Sequence, residues 1–209
     1  MKVIQPDVQI LDELDYKQIL NKISMRGRVC YKSTHVDENA EKFVAGLIAR
    51  GHESVLEHIS FSVLFVCDRG VSHEIVRHRI ASYSQESTRY CNYSQDRFGN
   101  EITVVFPAFY GQKESSTADS LWFNSCAQAE YYYFRMLASG VSAQEARSVL
   151  PNSLKTELVM TANIREWRHF LKLRTAPAAH PDMRKVAVML LKKLQSQLPV
   201  FFADIKTDL

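Results

Sequence analysis

The chain has 209 residues, of which 46% are hydrophobic, 23% charged and 11% aromatic. That is the profile of an ordinary folded protein and excludes disordered, collagen-like and low-complexity classes. Lys and Arg number 26 against 23 Asp and Glu, a formal +3, too slight a bias to argue for nucleic acid by itself.

In chain order, KVIQPDVQIL predicts a short strand, and Asp15 predicts the cap of a helix through Tyr16, Ile19, Leu20 and Ile23. A second helix is expected over Asn39 to Arg50, with Phe43, Leu47 and Ile48 on one face and Gly51 as its stop. Ile59, Phe61, Val63, Phe65 and Cys67 alternate with Ser60 and Ser62, which is a strand pattern that Gly70 should break. VSHEIVRH then suggests one or two helical turns, and Arg79 to Asn100 shows no periodicity, a long polar loop of the kind that carries function. EITVVF predicts a strand. The longest helix is expected from about Ser116 to Ser139, ending at Gly140, and Ser142 to Glu145 forms a capping box for a short helix that stops at Pro151. TELVMTA predicts a strand leading into the helix NIREWRHFLKLR. Pro181 suits the first residue of a last helix through Leu198, ended by Pro199. The sum is a mixed α/β domain in which helices dominate.

The first residues, MKVIQPDVQILDELD, carry acids where a secretory leader needs an apolar run, and Ile59 to Cys67 is too short to span a bilayer. A cytoplasmic protein without membrane association is expected. Cys30, Cys67, Cys91 and Cys126 form no C-x-x-C pair, so zinc and thioredoxin-like readings lose their usual support, no metal is expected and reduced thiols are the default.

The arginines point to chemistry. From Gly51 to Gln112 there is no lysine, yet Arg69, Arg77, Arg79, Arg89 and Arg97 occur. Guanidinium groups suit planar, bidentate recognition of phosphate or carboxylate. Arg77-His78-Arg79 is the densest point, and three consecutive donor-bearing side chains cannot share one face of a regular element, so they must meet different groups. An isolated R-H-R is more often a solvated basic turn. Here Ser82, Ser84, Gln85, Ser87, Thr88 and Arg89 follow, hydroxyl, amide and guanidinium groups of the kind that bind a nucleotide's phosphate and base edge. Taken singly, each serine is better read as a turn cap.

Arg77-His78-Arg79, the seven residues Ile80 to Glu86, Ser87 and then Thr88-Arg89-Tyr90 resemble the RHR-x7-S signature of flavin-dependent thymidylate synthases. Gly51 to His58 resembles the family's H-E-S/T-x-x-E-H segment, Ala146-Arg147 with Leu150-Pro151 its A-R-x-x-L-P, and Asn163-Ile164-Arg165 with Phe170 to Arg174 its N-x-R followed by F-L-x-L-R. The resemblance covers roughly residues 5 to 205. It implies an α/β (mixed α+β) fold, a helix-rich single domain over 1–209 around a small, mainly antiparallel sheet. It also implies conversion of dUMP to dTMP with 5,10-methylenetetrahydrofolate as carbon donor, FAD as redox cofactor and NADPH as its reductant. A homotetramer with shared active sites is implied, and no cysteine nucleophile: none of the four cysteines follows a proline or precedes a histidine.

By the same resemblance Glu74, Arg77, Gln85, Glu86, Ser87, Thr88, Arg89, Arg147 and Arg174 would hold dUMP. Arg174 would stabilise the anionic uracil, and Ser87 would polarise or position it. Ser54, Arg77, His78, Arg79, Gln85, Asn163, Arg165 and His169 would line FAD, and His52 and Glu57 the face where folate and NADPH alternate. This chain departs from the commonest pattern at Gln85, at His169, where Asn is frequent, and at Glu74, where Gln is frequent. The run Ala176 to His180 is longer than usual, and His180 before Pro181 also suits a helix start. Leu121, Trp122, Tyr131 to Phe134 and Met136 fit core or a subunit interface, Trp167 fits packing, and Arg165, Arg168 and His169 without the motif would be a solvated face. Two alternatives stand beside this reading. One is a flavoprotein reductase of another substrate on the same fold. The other is a single-stranded RNA-binding module stacking bases on Tyr83, Tyr90 and Tyr93.

Overall fold

The computed structural model describes residues 1–34, 39–108 and 117–207. Its elements are β1 (Lys2–Ile4), β2 (Asp7–Ile10), α1 (Tyr16–Val29), α2 (Ala40–Ala49), β3 (Ser60–Asp68), α3 (Arg69–Ile75), β4 (Ser82–Gln85), β5 (Thr103–Val105), α4 (Thr117–Ala138), α5 (Ala143–Ala146), β6 (Lys155–Asn163), α6 (Ile164–Arg174), α7 (Pro181–Gln197) and α8 (Pro199–Phe202). Short 3-10 segments cover Glu53–His58, Asp96–Phe98 and Arg147–Val149. The mixed α+β class expected from the patterning is the one observed. No described helix is long and apolar enough to cross a membrane.

A four-stranded sheet runs in the order β2-β3-β6-β4, and β1 pairs with β5 in parallel, Lys2 opposite Thr103 and Ile4 opposite Val105. β3 and β6 are antiparallel: the Ile164 N–H reaches the Ile59 carbonyl at 3.0 Å, the Ser62 and Thr161 hydroxyls meet at 2.9 Å, and the Arg69 N–H reaches the Leu154 carbonyl at 3.1 Å, so one strand descends as the other rises. In β3 the residues Phe61, Val63, Phe65 and Cys67 are buried, as their alternation requires.

The chain forms two compact units. Met1–Asp7, Phe65–Arg77 and Ser84–Val159 make the first, and Val8–Leu64, His78–Tyr83 and Met160–Leu209 the second. The core of the first joins Tyr93, Ile102, Val104, Cys126, Tyr133, Ala146 and Leu154, with Trp122, Phe134 and Met136 packed against it. Of the aromatic stripe on α4 only Tyr133 is fully buried, while Leu121, Tyr131 and Tyr132 are exposed. The second unit buries Ile23 of α1, Val44 and Leu47 of α2, Trp167 and Phe170 of α6, Leu190 and Leu194 of α7, and Phe201 and Phe202 of α8. Trp167 stacks on Phe61 with centroids 5.4 Å apart. A Cβ on Gly27 would lie 3.0 Å from the Phe43 ring, so that glycine lets α1 and α2 approach closely.

Local signals account for most boundaries. The Asp15 carboxylate accepts from the Gln18 N–H at 3.0 Å, Gly51 follows α2 at φ 73° and Gly140 follows α4 at φ 94°. The Ser142–Glu145 capping box forms. Three expectations are corrected. Gly70 does not break β3. Asp68 ends it by capping α3, its carboxylate accepting from the Val71 N–H at 2.8 Å, and Gly70 lies within that helix. Pro199 ends α7 but also opens α8, since a proline suits a first helical turn. The polar segment 79–100 contains β4, an edge strand whose SYSQ sequence carries no apolar alternation. The expected helix start at Ser116 lies outside the described residues.

Candidate active site

The RHR segment follows directly on α3. Arg77 and Arg79 are exposed and His78 between them is 5% exposed, so the histidine parts from its two arginine neighbours. In the second unit His78 Nδ1 lies 3.2 Å from Glu166 Oε1, and Arg174 Nε donates to His78 Nε2 at 3.1 Å. The ring packs edge-on against Phe170, centroids 4.8 Å apart, and against His169 at 5.6 Å. Burial lowers the His78 pKa to about 4, with the Arg174 and His169 charges acting the same way. The imidazole is therefore neutral at physiological pH, and its contact with Glu166 is a hydrogen bond and not an ion pair. Burial raises the Glu166 pKa, against the pull of His169. Tyr83 donates to the His78 carbonyl at 2.5 Å, and burial, then Glu166, push its pKa up to about 12.

Of the other residues that the resemblance assigns to FAD, Ser54, Arg79, Asn163, Arg165 and His169 lie in the same unit, and Arg77 and Gln85 in the first. Asn163 caps α6, its Oδ1 accepting from the Glu166 N–H at 2.9 Å. Arg165 and His169 project from α6 and are exposed, and Arg165 pairs with Glu57 at 2.5 Å. Ser54 and Glu57 sit on the 3-10 segment that begins at Glu53, and the His52 Nδ1 meets the Tyr31 hydroxyl at 3.2 Å. Arg168 departs from the solvated face expected of it. It is 1% exposed and binds Glu53, Asp204 and the Phe201 carbonyl. His180 caps α7, its Nδ1 accepting from the Asp182 N–H at 3.3 Å, which is the structural use its place before Pro181 suggested.

In the first unit Glu86 holds the loop from inside. One carboxylate oxygen accepts from the Tyr93 hydroxyl at 3.0 Å and the other from Lys155 Nζ at 3.0 Å. Gln85 turns its amide nitrogen inward, to the Ser72 hydroxyl at 2.9 Å and the Thr156 hydroxyl at 3.2 Å. Its Oε1 is then the group left to face a ligand. The Ser87 hydroxyl accepts from the Arg89 N–H at 3.3 Å, a turn contact that positions it and does not deprotonate it. Arg89 is exposed, its guanidinium 5.5 Å from the Tyr90 ring centroid. Glu74 is half-buried on α3. Arg147 Nη1 donates to the buried Thr88 hydroxyl at 3.3 Å, and both residues line a cavity of about 340 Å³ with Arg69 and Asn152. Arg69 Nη1 itself is buried without a hydrogen-bond partner. A buried cationic donor left unpaired is costly. Arg69 was visible in the sequence only as one of several arginines in a lysine-free stretch, and no motif marked it.

Ser54, His78, Arg79, Asn163, Arg165 and His169 thus fall in the second unit together with Arg174. Glu74, Arg77, Gln85, Glu86, Ser87, Thr88, Arg89 and Arg147 fall in the first. The ligating atoms of His78, Glu166 and His169 lie within 4.8 Å of one another, but a guanidinium donating to the same imidazole makes this a poor place for a cation. Cys67 is buried and its pKa pushed up to about 12 by that burial, and burial also raises the pKa of Cys91. Neither has the thiolate character of a nucleophile.

The sequence matches the family model described as thymidylate synthase complementing protein over residues 14–200. It is 36% identical over 191 residues to a Geobacter sulfurreducens protein named flavin-dependent thymidylate synthase, covering 87% of this chain and 80% of that one. It is 34% identical over 159 residues to a Pyrococcus furiosus protein of the same name, covering 76% of this chain and 64% of the relative, just under two thirds of its length. A Mycobacterium tuberculosis protein, again with that name, is 32% identical over 219 residues, with 95% of this chain and 84% of the relative covered.

Proposed function

The chain belongs to the flavin-dependent thymidylate synthase family, and we propose that it converts dUMP to dTMP, with 5,10-methylenetetrahydrofolate as carbon donor and FAD reduced by NADPH. The observation that supports this most is Arg174 held at its Nε by a neutral His78, a guanidinium aimed and not merely exposed. Carbon 5 of uracil is a weak nucleophile. A fixed guanidinium at the N3–C4 carbonyl edge stabilises negative charge there and raises electron density at carbon 5. Ser87 positions or polarises the ring. Arg77, Arg89 and Arg147, with the Thr88 hydroxyl beside Arg147, form a charge-assisted donor set for the nucleotide phosphate. Gln85 contributes through its Oε1. Glu86 acts by holding the loop, and Glu74 borders the same segment.

The donor chemistry of the second unit fits FAD. The exposed Arg79 and Arg165 suit its pyrophosphate, and Ser54, the Asn163 amide and His169 suit polar ring atoms. Bound there, FAD would supply the hydride equivalents. Both ring nitrogens of His78 are engaged within the chain, so His78 supports the flavin set from behind. His52 and Glu57 border the face that folate and NADPH would share. The whole chain, residues 1–209, acts as one functional domain, in a cytoplasmic homotetramer with small-molecule and not nucleic-acid partners.

The test is anaerobic turnover with each component omitted in turn. dTMP should form only when dUMP, methylenetetrahydrofolate, FAD and NADPH are all present. A protein that binds FAD and oxidises NADPH yet makes no dTMP overturns the reading in favour of a reductase of another substrate.

A further inference from the structure

We propose that Glu166 is a positioning residue for Arg174, acting through His78 by fixing the tautomer whose bare Nε2 anchors the guanidinium. The inference rests on the reading of Arg174 as the uracil's partner. The three side chains form one line along α6. Glu166, Phe170 and Arg174 recur every four residues and so share a helix face. The His78 ring lies across Phe170 at 4.8 Å, with Glu166 on its Nδ1 side and Arg174 on its Nε2 side. One imidazole thus bridges the first and last turns of the helix, which lie about 12 Å apart along its axis.

The tautomer follows from donor counting. A guanidinium Nε carries a hydrogen and cannot accept. His78 Nε2, 3.1 Å away, must therefore be the bare nitrogen. A neutral imidazole then carries its hydrogen on Nδ1, and Glu166 Oε1 at 3.2 Å is its acceptor. Glu166 is itself held, its backbone N–H capped by Asn163 and its side chain 9% exposed. Remove the acceptor, and the Nδ1–H is left buried without a partner, a cost that the Arg174 contact alone must then offset. The Nε2–H form sets donor against donor at the Arg174 Nε and breaks that contact. With Nε anchored, the planar guanidinium has one orientation to present, which is worth most when a charge must be met in a fixed place.

The test is a double-variant cycle in the FAD-loaded protein, with dUMP binding read by calorimetry. Glu166→Leu should weaken dUMP binding about 10-fold or more, the scale of one hydrogen bond to a charged group. In an Arg174→Ala background the same change should cost less than about 2-fold, because the partner it acts through is gone. Glu166→Gln, which keeps an oxygen acceptor, should bind dUMP within about 3-fold of wild type. Equal losses in both backgrounds would mean a merely structural role and overturn the proposal. Nitrogen NMR of labelled histidine in the unmodified protein decides the matter even where Glu166→Leu fails to fold. The Nδ1–H tautomer of His78 is expected, and the Nε2–H or charged form overturns the proposal. Failure of wild-type protein to bind dUMP would refute the functional reading instead, and the NMR result would still judge the hydrogen-bond chain.

Discussion

Replacing Arg168 with methionine should destabilise the second unit sharply. The guanidinium binds Glu53 at 3.1 and 3.0 Å, both Asp204 oxygens at 2.7 Å, and the Phe201 carbonyl. Methionine keeps most of the stem's volume, so the loss is electrostatic and not a cavity. Breaking a buried pair from one side costs about 3–5 kcal/mol. Here Asp204, 47% exposed at its side chain, recovers water, and Lys172 Nζ stands 3.5 Å from the stranded Glu53. The low end, about 3 kcal/mol, is therefore expected. For a protein of this size that lowers Tm by roughly 6–12 °C. Urea and thermal unfolding followed by circular dichroism give both quantities. The same variant should bind FAD more weakly, because Arg168 holds Glu53 at the head of the segment that carries Ser54. Arg168 hydrogen bonds hold the Asp204 carboxyl below its usual range. That contribution is complete above the unfolded carboxylate pKa and is lost as pH falls through the lowered folded one, so Asp204→Asn should flatten the acid limb of stability. A methionine variant within about 1 kcal/mol of wild type would refute the assignment of Arg168 as the clamp.

Arg174→Ala should lower dTMP formation on the order of 10³-fold, as loss of a fixed transition-state donor does, while the visible flavin spectrum is retained. Near-normal turnover would remove Arg174 from the mechanism. Arg79→Ala should weaken FAD binding about 10–100-fold with little change in melting temperature, read by flavin fluorescence, the scale of hydrogen bonds to a charged group. Unchanged affinity would count against its place in the flavin set. His78 titrates near 4 in the fold against about 6.5 when unfolded, so the unfolded chain binds the extra proton first. Stability should be intact above about pH 6.5 and fall by up to about 3 kcal/mol as pH drops to 4. A His78→Gln variant that keeps the whole acid-induced loss would reassign that loss to other groups.

Much of this architecture was legible because the signals were local. Alternation at Phe61, Val63, Phe65 and Cys67 marks β3, Asp15 and the Ser142–Glu145 box mark helix starts, and Gly51 and Gly140 mark stops. β4 escaped because Ser82-Tyr83-Ser84-Gln85 pairs on a sheet edge, where backbone hydrogen bonds and not apolar faces make the strand. The end of β3 was less legible, because the Asp68 carboxylate that caps α3 ends the strand and Gly70 lies inside that helix. Among the candidate residues, Arg77, Ser87, Arg147 and Arg174 are marked by motif, and adjacency alone requires His78 to part from its arginine neighbours. The partners were not legible. Glu166 reaches His78 across 88 residues of chain and Arg168 reaches Glu53 across 115, and no spacing rule encodes such pairs. Arg69 became visible only as a buried guanidinium atom without a partner.

The most direct measurement is a single turnover. The protein would be loaded with FAD, reduced, freed of reductant, and mixed anaerobically with dUMP and methylenetetrahydrofolate while visible absorbance is followed and dTMP is quantified. The account predicts flavin reoxidation that requires both substrates and yields dTMP in the amount of flavin reoxidised. Flavin that stays reduced, or that reoxidises without dTMP, would contradict it.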